Sequence, residues 1–259
     1  MTDSIKHALV AGVTALASAA ALAASDIKPT VVLVHGAFAE SSSWNGVVDE
    51  LAQKGYPVVA AANPLRGVAS DAASVASLVR SIKGPVVLVG HSYGGAVISA
   101  AANGANNVKA LVFVAAFAPD DGESCLALTG KFPGSTLPPA LAPAVALPDG
   151  GEDLYIRQDR FPQQFAADVP FAQGQAMAAT QRPIKSAALA EVAGTPAWKT
   201  IPSWAIYGSG DLNIPPAAMA FMAERAHSRK TRVVDGASHV VMVSHPHEVA
   251  ALIEEAAGR

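Results

Sequence analysis

The sequence predicts an α/β protein built on a mostly parallel sheet flanked by helices, and three observations carry that reading. From Pro29 onward, short β-branched runs alternate with amphipathic segments, which is the pattern of successive β-α-β units. Gly55 and Gly84-Pro85 stop the amphipathic segments where helices would have to end. With 259 residues, 51% apolar and only 15% charged, the chain can bury one large core and is too apolar to stay disordered.

The elements follow in order. Val31 to Val34 reads as a buried strand, and Trp44, Val47, Val48 and Leu51 recur at helical spacing after the cap candidates Ser41-Ser42-Ser43. Pro57 to Ala61 is the next strand. Val75, Leu78, Val79 and Ile82 share one face of a helix over 71–82, and the strand Val86-Val87-Leu88-Val89 comes at once. Val108 to Val114 is another apolar strand.

Between Pro119 and about Thr200 the periodicity breaks down. Pro133, Pro138, Pro139, Pro143 and Pro148 interrupt it, with short helical stretches such as Gly174 to Thr180. An unstructured loop of that length is improbable inside a compact domain, so the segment is expected to be a cap over the sheet. The sheet resumes with Trp204 to Tyr207, a helix from Pro215 to Ala226, the strand Thr231 to Val234 and a last helix from Pro246 to Ala257. Proline suits the first turn of both helices. The expected organisation is a core of residues 25–118 and 201–259 with a cap of residues 119–200.

Residues 1–24 read differently. No charged side chain occurs from Ala8 to Ser25, Lys6 and His7 precede the run, and Ala21-Leu22-Ala23 resembles a small-residue cleavage site. A secretory signal peptide is expected, with the mature protein periplasmic or secreted. An Ala-dominated segment gains too little from hydrocarbon to make a stable membrane span.

Composition narrows the function classes. A net charge of -3, with 18 Lys and Arg scattered along the chain, gives no footprint for nucleic acid. The single Cys125 excludes an internal disulfide and leaves no thiolate set for zinc, so it reads as a small, partly buried hydrophobe. His245-x-His247 lacks acidic partners at ligand spacing, and no metal or cofactor is expected.

The most informative stretch is Gly90-His91-Ser92-Tyr93-Gly94, between a strand and the helix-forming Gly95-Ala96-Val97-Ile98. It reads as a serine nucleophile on a sharp strand-to-helix turn, with glycines where side chains would collide with neighbouring backbone. A serine hydroxyl is a poor nucleophile at neutral pH, so this reading requires a histidine base, an acid to hold its tautomer and donors for an oxyanion. His239 follows the last strand, and Asp211 follows the strand Trp204 to Tyr207, which puts both on the strand ends that carry Ser92. Asp120 and Asp121, after the strand Val108 to Val114, are the rival acids. The predicted oxyanion donors are the amides of Ala37, in the loop His35-Gly36-Ala37-Phe38, and Tyr93. His35 and His91 are expected to hold loops or line a pocket, and Asp235 to serve a turn.

These segments resemble α/β-hydrolases of the small-esterase type, in particular bacterial relatives of the plant methylesterase and hydroxynitrile lyase group. The resemblance rests on Val31-Val32-Leu33-Val34-His35-Gly36-Ala37 with Ser43-Trp44, Gly90-His91-Ser92-Tyr93-Gly94-Gly95, Tyr207-Gly208-Ser209-Gly210-Asp211 and Gly236-Ala237-Ser238-His239. It implies an eight-stranded, mostly parallel sheet with a helical lid, Ser92, Asp211 and His239 as triad, and Ala37 and Tyr93 as oxyanion donors. Lyases of this group carry a threonine in the first-strand loop and a lysine after the catalytic histidine, where this chain has Gly36 and Val240. Epoxide hydrolases and dehalogenases place an aspartate at the elbow, where this chain has Ser92.

The expected activity is therefore hydrolysis of small carboxylic esters through an acyl-enzyme, with a small-molecule ester as the partner. Phe38, Trp44, Phe117, Phe161, Phe165 and Met177 are the candidates for an apolar substrate pocket. The alternatives are a ligand-binding protein without turnover, or a cofactor-free perhydrolase or lactonase using the same residues.

Overall fold

The computed structural model describes residues 28–258, so the expected signal peptide lies outside the described residues. Six strands form one parallel sheet: β1 (Thr30–Val34), β2 (Val58–Ala61), β3 (Val86–His91), β4 (Val108–Val114), β8 (Ser203–Gly208) and β9 (Lys230–Val234), in the order β2-β1-β3-β4-β8-β9. The central strands are continuous apolar runs because both of their faces are covered. Val31 to Val34 and Val86 to Val89 have no exposed surface.

The sheet has six strands where eight were expected. Three further strands exist, β5 (Val145–Ala146), β6 (Glu152–Leu154) and β7 (Ile184–Lys185), but they hydrogen-bond to one another as a separate antiparallel sheet in the cap. Strands of two or three residues interrupted by turns satisfy their backbone with one another instead of extending the main sheet.

The helices flanking the main sheet are α1 (Asn45–Gln53), α2 (Val68–Ser81), α3 (Gly94–Ala101), α9 (Pro216–Arg225), α10 (Val241–Ser244) and α11 (Pro246–Ala257). Helix α1 packs on α11 and α2 packs on α3, with α3 and α11 against the central strands. Among the described residues no helix is long and apolar enough to cross a membrane.

The segment 119–200, the expected cap, carries short helices, α4 (Cys125–Lys131), α5 (Leu137–Ala140), α6 (Phe161–Phe165), α7 (Phe171–Thr180) and α8 (Ser186–Ala190). Polar ties fix it to the core. Arg66 reaches Asp153 at 2.7 Å and the Pro183 carbonyl at 3.1 Å. The Glu191 carboxylate accepts the Val68 and Ala69 amides at 2.7 and 2.9 Å, satisfying orphan donors at the start of α2.

Candidate active site

Parallel register brings the strand ends level and so assembles the site. Val34 lies opposite Gly90, and His91 opposite Val114, so the loop after β1, the turn after β3 and the loop after β4 meet at one edge. Ser92 sits in that turn at φ 54°, a left-handed conformation that costs an L-residue strain and is maintained here by close backbone packing. A Cβ at Gly90 would lie 2.5 Å from the Gly94 carbonyl oxygen, and one at Gly94 2.5 Å from that of Val34. Only glycines let strand, turn and helix approach this closely.

The loops after β8 and β9 interlock. The Gly210 amide donates to the Ala237 carbonyl at 3.0 Å, and the Ser209 hydroxyl donates to Asp235 at 2.9 Å, which gives Asp235 the turn role expected of it. This pairing sets Asp211 beside His239. The His239 Nδ1–H donates to Asp211 Oδ2 at 2.6 Å, with both residues 3% exposed or less. The other carboxylate oxygen accepts the Asn213 and Ile214 amides at 2.8 and 3.0 Å, which fixes the carboxylate plane. With its proton on Nδ1, the imidazole keeps Nε2 free to accept another. The rival Asp120 instead pairs with Lys199, which lowers its carboxyl pKa, and accepts the Asp121 amide at 2.7 Å.

His91 and His35 are neutral supports. His91 Nε2–H donates to the His239 carbonyl at 3.0 Å, and burial, then the neighbouring His239, hold its pKa well below the usual histidine value. His35 Nδ1–H donates to the Gly36 carbonyl at 3.0 Å while Nε2 accepts the Asn63 amide at 3.0 Å. Burial pushes its pKa down to about 4, opposed in part by the bond to Gly36.

Ser92, His239, Ala37 and Tyr93 line one cavity of about 220 Å³ between sheet and cap. Among the described residues, neither the Ala37 nor the Tyr93 amide is used by a hydrogen bond, so both are free to donate. Phe38, Phe117 and Phe165 line the same cavity. The ring of Phe165 lies 5.1 Å from that of His239 and 6.2 Å from that of Phe38, centroid to centroid.

Three pocket candidates lie elsewhere. Trp44 is fully buried, edge-on to His91 at 6.4 Å, and Phe161 is fully buried against Phe165 at 4.8 Å. Both side chains fill the core behind the cavity wall. Met177 lines a second cavity, whose wall also includes Phe38. Conversely, the walls include Leu137, Leu141, Leu154, Leu189 and Ile214, which the sequence analysis did not single out. Four of them come from the cap, where no periodicity tells an inward residue from an outward one. Cys125 also lines the cavity, and burial raises its thiol to about 12, so it is a wall and not a nucleophile.

The buried Asp211–His239 pair and the strained Ser92 thus stand together at the strand ends of the parallel sheet. The profile of the alpha/beta hydrolase family matches residues 31–252, and the chain belongs to that family. A carbendazim hydrolyzing esterase from Nocardioides sp. (strain SG-4G) is 31% identical over 128 residues, 44% of this chain and 50% of the relative. The match thus spans about half the length of that relative. The alpha/beta hydrolase nvfD of Aspergillus novofumigatus (strain IBT 16806) is 26% identical over 259 positions, covering 90% of this chain and 98% of the relative. The crystal structure of polyneuridine aldehyde esterase shares the fold, with a TM-score of 0.75 at 19% identity over 88% of this chain and 99% of that one. The family found is the one that the motifs resemble.

Proposed function

We propose that this protein is a serine carboxylesterase acting on small neutral esters, and the observation that carries the reading is the buried Asp211–His239 pair opening onto the same apolar cavity as Ser92. In this mechanism Ser92 Oγ attacks the ester carbonyl carbon while His239 Nε2 takes the hydroxyl proton. Asp211 stabilises the resulting imidazolium, and the Ala37 and Tyr93 amides hold the tetrahedral oxyanion. Collapse breaks the bond to the alkoxy oxygen, His239 returns the proton to the departing alcohol, and the acyl group stays on Ser92. Water, deprotonated by His239, then releases the acid by the same steps.

The cavity supports the choice of substrate. Apart from His239, no titratable side chain but those of Tyr93 and Cys125 lines it, and burial holds both of these neutral. A charged acyl group would be desolvated there without a partner.

The test is steady-state hydrolysis of p-nitrophenyl acetate, butyrate and octanoate by the wild type and Ser92→Ala. Sustained turnover lost in the variant is the expected result. A stoichiometric burst without turnover would overturn the esterase reading in favour of a ligand-binding role. Export is part of the proposal, on the uncharged run from Ala8 to Ser25. An intact N-terminus on protein recovered from its native host would overturn that part.

A further inference from the structure

The loop that carries Asp211 is gripped on both sides of that residue. Before it, the Gly210 amide donates to the Ala237 carbonyl, a contact within the core. After it, the grip comes from the segment 119–200. Gln164, on α6, donates from Nε2 to the Leu212 carbonyl at 2.9 Å and to Asn213 Oδ1 at 3.2 Å. Asn213 Nδ2 donates in return to the Gln164 carbonyl at 3.0 Å. Both residues are buried, and Gln164 Oε1 is used as well, accepting the Thr136 hydroxyl at 2.9 Å.

Stability alone does not call for such a pair. The net gain from a buried hydrogen bond is modest, and well-packed apolar side chains of the same shape would serve about as well. What a satisfied amide pair adds is direction, because its bonds hold the backbone that carries it in one orientation. Here that backbone is Leu212–Asn213, and the Asn213 amide is one of the two that fix Asp211 Oδ1. The residue after Gln164 meets the other half of the buried pair, with the Phe165 ring 5.1 Å from that of His239.

We propose that Gln164 is a positioning residue for the acid of the triad. Through Asn213 it sets the far side of the loop, so that the Asn213 and Ile214 amides hold the Asp211 carboxylate in line with His239 Nδ1. Gln164 does not line the Ser92 cavity, and its effect passes through Asn213. The inference rests on the esterase reading for its consequence on rate, while the link from Gln164 to the Asp211–His239 bond does not depend on turnover.

Gln164→Met keeps the length of the side chain and removes its bonds, while the Leu212 carbonyl retains the Thr136 amide at 3.0 Å. On the full chain, kcat for p-nitrophenyl butyrate is expected to fall about tenfold to 100-fold with KM nearly unchanged. Asn213→Ala cuts the same link from its other end and should reproduce the fall, which keeps the test open if Gln164→Met does not fold. The double variant should be no slower than either single one, since two cuts in one link do not add. Thr136→Val removes a bond to Gln164 at an exposed position, spares the link to Asn213 and should leave kcat as it was. The downfield proton resonance of His239 Nδ1–H gives a readout without turnover, expected to shift in Gln164→Met and Asn213→Ala but not in Thr136→Val. An unshifted resonance, a kcat unchanged from an active wild type, additive losses in the double variant or an equal fall in Thr136→Val overturns the proposal. If the wild type does not turn over the ester yet the resonance shifts as described, the positioning link stands and the esterase reading falls.

Discussion

The Tyr93 hydroxyl donates a 2.9 Å hydrogen bond to Asp71 Oδ2 inside the protein, where Tyr93 and Asp71 are both fully buried. Tyr93 is the residue after Ser92, and Asp71 stands in the first turn of α2 and also accepts the Arg66 amide at 3.2 Å. The same arginine reaches the cap through Asp153. A single chain of contacts thus runs from the cap to the residue whose amide is a proposed oxyanion donor.

Tyr93→Phe removes one donor and leaves a buried carboxylate short of a partner. The expected loss is about 1–3 kcal/mol in unfolding free energy, measured by urea denaturation at pH 7. Because the proposed catalytic contribution of Tyr93 is its backbone amide, kcat is expected to fall by less than about tenfold in the same variant. A stability unchanged from wild type would contradict this account of the pair.

Asp211→Asn keeps the shape of the carboxylate and reverses its chemistry. Its amide nitrogen would face His239 Nδ1 as a donor and favour the tautomer with the proton on Nε2, which cannot accept one from Ser92. The expected drop in kcat is about 10,000-fold with the fold retained. Activity within tenfold of wild type would point to another acid.

Stability should depend on pH through His35. Unfolded, it titrates at the ordinary value of 6.5; folded, at about 4, chiefly because burial opposes the charge. Between these values the unfolded chain binds a proton that the folded chain does not. The contribution is therefore complete above pH 6.5 and is lost as pH falls toward 4, by about 3 kcal/mol in all. His91, also depressed by burial, acts in the same direction. Urea midpoints at pH 7 and pH 5 measure the slope, and His35→Gln, whose side-chain oxygen can still accept the Asn63 amide, should flatten it. An unaltered slope would assign the effect elsewhere.

Gly36→Ala tests how tightly the first loop is set against the turn. The new Cβ would lie 2.5 Å from Ser92 Cβ and 2.7 Å from the His91 carbonyl oxygen, so one of the two segments must move. A displacement of this kind is expected to cost about 100-fold in kcat/KM, whereas Gly130→Ala, which meets nothing within 4 Å, should change little. Equal effects in the two variants would dissociate activity from this contact.

Much of the core was legible because its physics is local. The strand Val108–Val114 and the helix Pro246–Ala257 have the limits read from the sequence, since apolar runs and first-turn proline mark their ends directly. Asp211 and His239 could be placed because loops at strand ends declare themselves in parallel folds. The cavity walls could not. Phe161 and Phe165 lie four residues apart on α6, yet only Phe165 faces Ser92, and nothing in so short a helix distinguishes them. Trp44 and Met177 failed for a related reason: a large apolar side chain signals burial without saying against what. The expected eight strands came from resemblance, and the backbone of the cap pairs with itself instead.

The site draws on loops that follow the first strand and the last, so Ala37 and His239 stand at nearly opposite ends of the described chain. During synthesis Ser92 leaves the ribosome long before His239, its proposed base. A nascent or prematurely ended chain that stops short of residue 239 holds the proposed nucleophile with nothing to deprotonate it. In the proposed mechanism ester cleavage is thus withheld until residue 239 has been made, and in a refolding experiment its return would time the docking of the strand Lys230–Val234.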